Sequence, residues 1–158
     1  MATHRFGDPA ASLAPISGKA KTGYANVAPA TRRRMQAVRG HDTDPEMRVR
    51  RVLHALGYRY RLHRKDLPGT PDVVLPRHRK IILIHGCFWH GHEQCKRAKV
   101  PANNSDIWRG KIECNRARDM RNVAALRDLG WDVLIVWECE VRDPTDLANR
   151  LRCFLTNR

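Results

Sequence analysis

The alternation of apolar and polar positions along the chain predicts a mixture of helices and strands. Apolar residues three and four apart follow Asp44, a residue type that caps helix N-termini, and this helix is expected to end at Gly57. Alternating apolar residues then predict a half-buried strand over 58–62. Two more strands, over 72–75 and 80–84, are separated by four residues and predict a hairpin.

The second half of the chain predicts three more elements. Ser105 begins a long helix that Gly130 would close. Residues 131–137 form the most apolar strand, which we expect at the centre of the sheet. A last helix opens at Asp143, which is followed by proline.

The order of these elements predicts a single α/β domain, in which a mixed β-sheet is flanked by helices. This domain would occupy residues 29–158 and would begin with a short basic helix over 32–38. Residues 1–28 are rich in Ala, Gly, Ser and Pro without apolar periodicity, and they predict a flexible N-terminal tail.

The charge of the chain predicts a polyanionic partner. Its 158 residues include 30 Lys and Arg against 16 Asp and Glu, a formal net charge of +14. Residues 1–65 contain 14 of the basic and 4 of the acidic residues, and the basic ones include Arg33, Arg34 and Arg50. Nucleic acid is the first candidate and an anionic membrane surface the second. A solvated basic face that only keeps the chain in solution is the alternative to both.

The apolar stretches of the chain are too short for a membrane span of about 18 residues, and its start lacks the apolar segment of a secretory signal. We therefore expect a cytoplasmic, nucleoid-associated protein without a membrane partner. Five cysteines, an odd number, favour metal binding or buried thiols over disulfides in that compartment.

A cluster of cysteines and histidines indicates a metal site. Cys87, His92 and Cys95 follow a C-x4-H-x2-C spacing, and sulfur and imidazole ligands this close together suit tetrahedral Zn²⁺. Cys139 is the best fourth ligand because it follows the apolar strand directly, and His90 is the alternative. Four protein ligands would leave no position for water, so this Zn²⁺ would be structural. The competing interpretation is a set of unconnected thiols and loop histidines.

An acid and an imidazole are expected to meet at one end of the sheet. The predicted hairpin places Asp72 opposite Leu83 and close to His85, and His90 follows on the loop with the metal site. A carboxylate beside a basic surface suits Mg²⁺ in phosphodiester hydrolysis, and a histidine there can move a proton. Alternatively, Asp72 is a turn residue and His85 a packed strand end.

Bulky aromatic residues mark a second candidate feature. Phe88 and Trp89 are adjacent in a polar loop, and Trp108 opens the long helix. Aromatic side chains on a basic surface can stack on bases or wedge between base steps. Packing in a small core beneath the loop is the other interpretation.

Taken together, these residues resemble the very-short-patch-repair (Vsr) DNA mismatch endonucleases. The matching stretches are L-P-G-T-P-D (67–72), H-G-C-F-W-H-G-H (85–92), K-V-P (99–101), Trp108, Lys111, residues 115–119 and V-W-E-C (136–139). The resemblance implies a restriction-endonuclease-like fold with an embedded structural zinc site. It implies a nick 5′ to the thymine of T:G mismatches, which arise when 5-methylcytosine deaminates.

The resemblance also implies roles for individual residues. Asp72 matches the Mg²⁺-binding aspartate, His85 and His90 match the active-site histidines, and Glu46 matches a helix glutamate of the catalytic site. Ile84 stands where some members have threonine, and it would offer its main-chain carbonyl to Mg²⁺. The remaining matches are the zinc ligands Cys87, His92, Cys95 and Cys139, the aromatic wedge Phe88, Trp89 and Trp108, and Met35 and Val38 on an N-terminal helix in the opposite groove.

The implied partners are double-stranded DNA with a T:G mismatch, a functionally linked cytosine-5 DNA methyltransferase and, as further candidates, repair proteins; we expect a monomer. Two other functions compete with mismatch nicking. One is a related restriction or structure-specific nuclease of the same fold, against which the adjacent aromatic residues argue. The other is a non-catalytic zinc-bearing DNA-binding module, against which the intact Asp72, His85 and His90 argue.

Overall fold

The computed structural model describes Arg33 and residues 40–157. Its elements, in chain order, are α1 (Asp44–Ala55), β1 (Arg61–Leu62), β2 (Val73–Leu75), β3 (Lys80–His85), α2 (Ser105–Asp128), β4 (Asp132–Trp137) and α3 (Pro144–Thr156). Short 3-10 turns follow β2 (Pro76–His78) and precede α2 (Lys96–Ala98). The predicted tail and, apart from Arg33, the predicted basic helix lie outside the described residues. None of the helices in this part of the chain is long and apolar enough to cross a membrane.

The predicted helix boundaries agree with the structure to within one or two residues. Thr43, instead of Asp44, is the N-cap of α1. Gly57 and Gly130 follow the ends of α1 and α2 with φ of +81° and +77°, a left-handed conformation that glycine adopts without strain. Asp143 caps α3, because its side chain accepts hydrogen bonds from the backbone amides of Thr145 and Asp146.

The four strands form one mixed sheet in the order β1-β2-β3-β4. The pairs β1–β2 and β2–β3 are antiparallel, whereas β3 and β4 are parallel. The hairpin pairs Val73 with Ile82, so Asp72 precedes β2 opposite Leu83, as predicted. The strand predicted over 58–62 is reduced to two residues.

The prediction that the most apolar strand is central is wrong. Among the described residues, β4 lies at the edge of the sheet and pairs only with β3. Its apolar run has another cause, which is burial of both faces. Val136 packs in a core with residues of α1 and α3, while Val133 and Ile135 pack against a second core under α2. Helices on the two faces therefore account for the sequence pattern without a strand on each side.

Candidate active site and metal centre

A cleft of about 800 Å³ lies where β3 ends. The hairpin supplies Asp72 and His85, the loop after β3 supplies His90, and α1 supplies Glu46. The structure therefore brings the four predicted catalytic residues to the same cleft. Ile84 also lines it, beside Asp72.

Asp72 is a largely buried carboxylate that lines the cleft. Its pKa is raised to about 6, chiefly by burial and also by the nearby charge of Glu46, and the hydrogen bond that Ile84 N donates to Oδ2 at 2.8 Å opposes this rise. A carboxylate whose charge is so weakly compensated is a favourable ligand for a divalent cation. The same backbone amide fixes its orientation relative to β3.

The two histidines form a stacked pair. The ring centroids of His85 and His90 are 4.0 Å apart and the ring planes differ by 11°. Burial and, to a smaller extent, the neighbouring His90 lower the pKa of His85 to about 4. His85 is therefore neutral near pH 7, so that a ring nitrogen is available to accept a proton or a hydrogen bond.

Asp119 on α2 is a site residue that the sequence analysis did not single out. Its Oδ2 lies 2.5 Å from His90 Nδ1. A carboxylate at Nδ1 fixes the tautomer and orientation of an imidazole and leaves Nε2 for chemistry. The donor atoms of His85, His90 and Asp119 also lie within 4.8 Å of one another, a group that could hold a metal ion. The one available signal was the position of Asp119 within the matching stretch 115–119.

Glu46 is buried and held by several hydrogen bonds. Its Oε1 accepts from Thr43 Oγ1 at 2.8 Å, and its Oε2 accepts from the Asp42 amide at 3.0 Å and from Arg50 Nη2 at 2.7 Å. Arg50 lies on the same helix, is buried with Glu46, and does not belong to the exposed basic surface on which the charge count had placed it.

The four predicted zinc ligands meet in the structure. The donor atoms of Cys87, His92, Cys95 and Cys139 all lie within 4.8 Å of one another. Cys139 reaches the loop because β4 runs parallel to β3, so both strands end at the same edge of the sheet. His90, the alternative fourth ligand, pairs with Asp119 instead. Three sulfurs and one imidazole fit a closed tetrahedral site.

Contacts around the metal cluster hold its loop in place. Gly91 has a φ of +62°, and a Cβ there would lie 2.6 Å from Ile112 Cγ2, so the loop packs against α2 only with glycine at this position. The His92 ring stacks on Trp137 at the end of β4, with centroids 4.2 Å apart. Burial raises the pKa of the Cys87 thiol to about 12, so a bound cation would have to displace its proton.

The three predicted wedge residues form one aromatic cluster. The Phe88 ring centroid is 5.1 Å from that of Trp89 and 5.5 Å from that of Trp108. Trp108 is only 6% exposed, whereas Phe88 and Trp89 are half-buried. Asn115 Nδ2 donates to the Trp89 carbonyl at 2.9 Å and thereby ties the loop to α2. Trp108 thus supports the other two, and Trp89 also lines the cleft.

The predicted contacts of the N-terminal segment are only partly described. Arg33 is exposed. Arg34, Met35 and Val38 lie outside the described residues.

Comparison with known proteins indicates the class of protein to which this chain belongs. The chain is 54% identical over 121 residues to the type II nicking enzyme V.XorIIP of Xanthomonas oryzae. The aligned region covers 77% of this chain and 88% of that relative. It is 39% identical over 117 residues to the type II nicking enzyme V.NmeAIP of Neisseria meningitidis, with 74% and 83% covered. The protein is a DNA endonuclease, and the interpretation as a non-catalytic binding module is therefore wrong.

Two further matches give the family. Residues 26–97 match the family described as DNA mismatch endonuclease Vsr. The DNA mismatch endonuclease Vsr of Escherichia coli is 45% identical over 115 residues, 73% of either chain. The chain belongs to the Vsr family of DNA mismatch endonucleases.

Proposed function

We propose that this protein uses Mg²⁺ to nick one DNA strand 5′ to the thymine of a T:G mismatch. The observation that supports this most strongly is the convergence of Asp72, His85 and His90 in one cleft, with Trp89 in its wall. Acid, imidazole and aromatic groups in one space serve both phosphodiester hydrolysis and recognition of a distorted base step.

In the proposed mechanism, Asp72 and the main-chain carbonyl of Ile84 would hold Mg²⁺, which would supply positive charge beside the scissile phosphate. His90 takes a proton from the attacking water at Nε2, because Asp119 occupies its Nδ1 side. His85 stacks on His90 and restricts the rotation of its ring. Glu46 completes the acidic wall of the cleft.

Selection of the mismatch is assigned to the aromatic cluster. A mispaired step stacks and pairs less well than a matched one, so opening it requires less free energy, a difference of a few kcal/mol. Phe88 and Trp89 insert at the opened step and recover stacking energy of about 1–3 kcal/mol per base. Arg33 and Arg34 contribute contacts to phosphates, which add affinity without selecting the sequence.

The proposal extends to the architecture and setting of the enzyme. Residues 29–158 form a restriction-endonuclease-like domain behind a tail over 1–28, and a structural Zn²⁺ bound by the Cys87–His92–Cys95–Cys139 cluster orders the loop that carries His90. The enzyme acts as a monomer on chromosomal DNA in the nucleoid. It accompanies a cytosine-5 DNA methyltransferase, whose product is the source of the mismatch, and repair proteins would process the nick.

The test is a nicking assay on paired duplexes that differ only in one T:G or T:A pair, with and without added Mg²⁺. We expect a single nick in the T:G duplex when Mg²⁺ is present. Equal nicking of both duplexes would instead support the related restriction or structure-specific nuclease. Nicking without any divalent cation would contradict the role given to Asp72.

A further inference from the structure

A buried arginine lies within a cluster of groups that could otherwise hold a metal ion. The donor atoms of Asp42, Glu46 and His63 lie within 4.8 Å of one another. This cluster adjoins the cleft, since Glu46 also lines the wall near Asp72. The Arg50 side chain is only 7% exposed and points into the same cluster.

The Arg50 guanidinium contacts all three of these residues. Its Nη1 donates to Asp42 Oδ1 at 2.5 Å, and its Nη2 donates to Glu46 Oε2 at 2.7 Å. The same Nη2 lies 3.1 Å from His63 Nε2. Each of the three residues that could bind a metal therefore already contacts one cationic group of the protein.

The backbone supports this arrangement. Asp42 and His63 both have a positive φ, of +55° and +45°, a conformation that is uncommon for residues other than glycine. Arg50 Nε is buried and has no hydrogen-bond partner among the described residues. The guanidinium is thus placed by its two outer nitrogens, that is, by the contacts within the cluster.

We propose that Arg50 is a positioning residue that acts as a built-in cation: it fixes Glu46 beside Asp72 and keeps a second divalent cation out of the Asp42–Glu46–His63 cluster. The inference rests on the proposed function only in its claim that Asp72, outside this cluster, holds a cation of the reaction. The role of Glu46 is then to contribute to the electrostatic field of the cleft, because its carboxylate already forms an ion pair with Arg50.

The charge balance explains why removal of Arg50 should create a cation site. Asp42 and Glu46 share one guanidinium, and a neutral residue at position 50 would leave the two carboxylates with only the imidazoles of His41 and His63 nearby. Such uncompensated charge is unfavourable, most of all at the buried Glu46. Two carboxylate oxygens and an imidazole nitrogen are suitable ligands for Mn²⁺, which would replace the missing charge.

The test is a titration of the zinc-loaded, full-length protein with Mn²⁺, followed by calorimetry and by the electron paramagnetic resonance signal of free Mn²⁺. We expect Arg50→Ala and Arg50→Gln to bind one Mn²⁺ per chain more than the wild type. The glutamine variant keeps an uncharged polar side chain at this position should the truncation to alanine fail to fold. Adding Glu46→Gln to either variant should remove the extra ion.

Arg48→Ala is the matched control, because Arg48 pairs with Asp44 on the exposed side of the same helix at 2.8 Å. It should leave the Mn²⁺ stoichiometry unchanged. An unchanged stoichiometry in both Arg50 variants, or an equal gain in Arg48→Ala, would overturn the inference. A wild type that binds no Mn²⁺ in the cleft would contradict the proposed function instead, and the difference between variant and wild type would still test Arg50.

Discussion

Replacing Asp72 with asparagine is expected to stabilise the fold while it abolishes nicking. Asparagine has nearly the same shape, and its side-chain oxygen can still accept the hydrogen bond that Ile84 N donates at 2.8 Å. The substitution removes the negative charge, which burial disfavours and which the proposed mechanism requires for Mg²⁺.

The size of the effect follows from the pKa of Asp72, which burial raises from its ordinary 3.8 to about 6. One pKa unit corresponds to about 1.4 kcal/mol. Because the folded pKa lies above the unfolded one, the folded state binds the proton more tightly, and stability falls as pH rises from about 4 to 6. At pH 7 the ionised carboxylate therefore costs up to about 3 kcal/mol, at pH 5 about half of that, and below pH 4 almost nothing.

The assay is urea unfolding of wild type and Asp72→Asn at pH 7 and pH 5, without added Mg²⁺. We expect a gain of up to about 3 kcal/mol at pH 7, or roughly 6–12 °C in melting temperature, and a gain about half as large at pH 5. Asp44→Asn is the control, since its exposed pair with Arg48 contributes only about 0–1 kcal/mol. A loss of stability at pH 7, or the same gain at both pH values, would refute burial as the source. An active variant would end the assignment of Mg²⁺ to Asp72.

Four further predictions concern the loop, the aromatic cluster and the basic segment. Cys95→Ser should lower the zinc content from about one ion per chain and destabilise the whole domain, as judged by metal analysis and thermal unfolding; a fully active wild type without zinc would contradict this. Gly91→Ala should lower stability by a few kcal/mol, because its Cβ would lie 2.6 Å from a side chain of α2, whereas Gly110→Ala, with open space around it, should be neutral or stabilising. Trp89→Ala should reduce T:G nicking far more than it reduces binding to matched DNA, and equal losses on both duplexes would mean that Trp89 serves only as packing. Arg33→Ala should weaken binding to both duplexes and flatten the salt dependence of binding in filter-binding titrations.

Local pairing made part of the cleft predictable from sequence. A hairpin has a register set by its short connection, so the position of Asp72 opposite Leu83, and near His85, followed from counting alone. The metal cluster was predictable for a similar reason, because three of its donors lie within nine residues and the fourth follows a strand end.

Contacts between distant segments were not predictable in the same way. The contact of His90 with Asp119 spans 29 residues and depends on how α2 is rotated about its axis, which apolar spacing did not define. Arg50 was assigned to the basic surface from the charge count alone. Its ion pair with Glu46, four residues earlier on the same helix, was visible in the sequence, whereas its contact with Asp42 and its burial were not. The apolar run of β4 indicates that both of its faces are buried. A central strand and an edge strand covered by helices share this property, so the sequence pattern did not distinguish them.

The parallel pairing of β3 with β4 has a kinetic consequence. The strands of the β2–β3 hairpin are close in sequence, whereas Lys80 meets Asp132 across 52 residues, so the second pairing requires closure of a much longer loop. On refolding, the hairpin that carries Asp72 and His85 should therefore form before β4 docks. Cys139 arrives with β4, so the Zn²⁺ proposed for this cluster, if added at the start, would meet three of the four candidate ligands early and the fourth late. Its capture in a closed site would then mark the last step at which the catalytic end of the sheet becomes rigid.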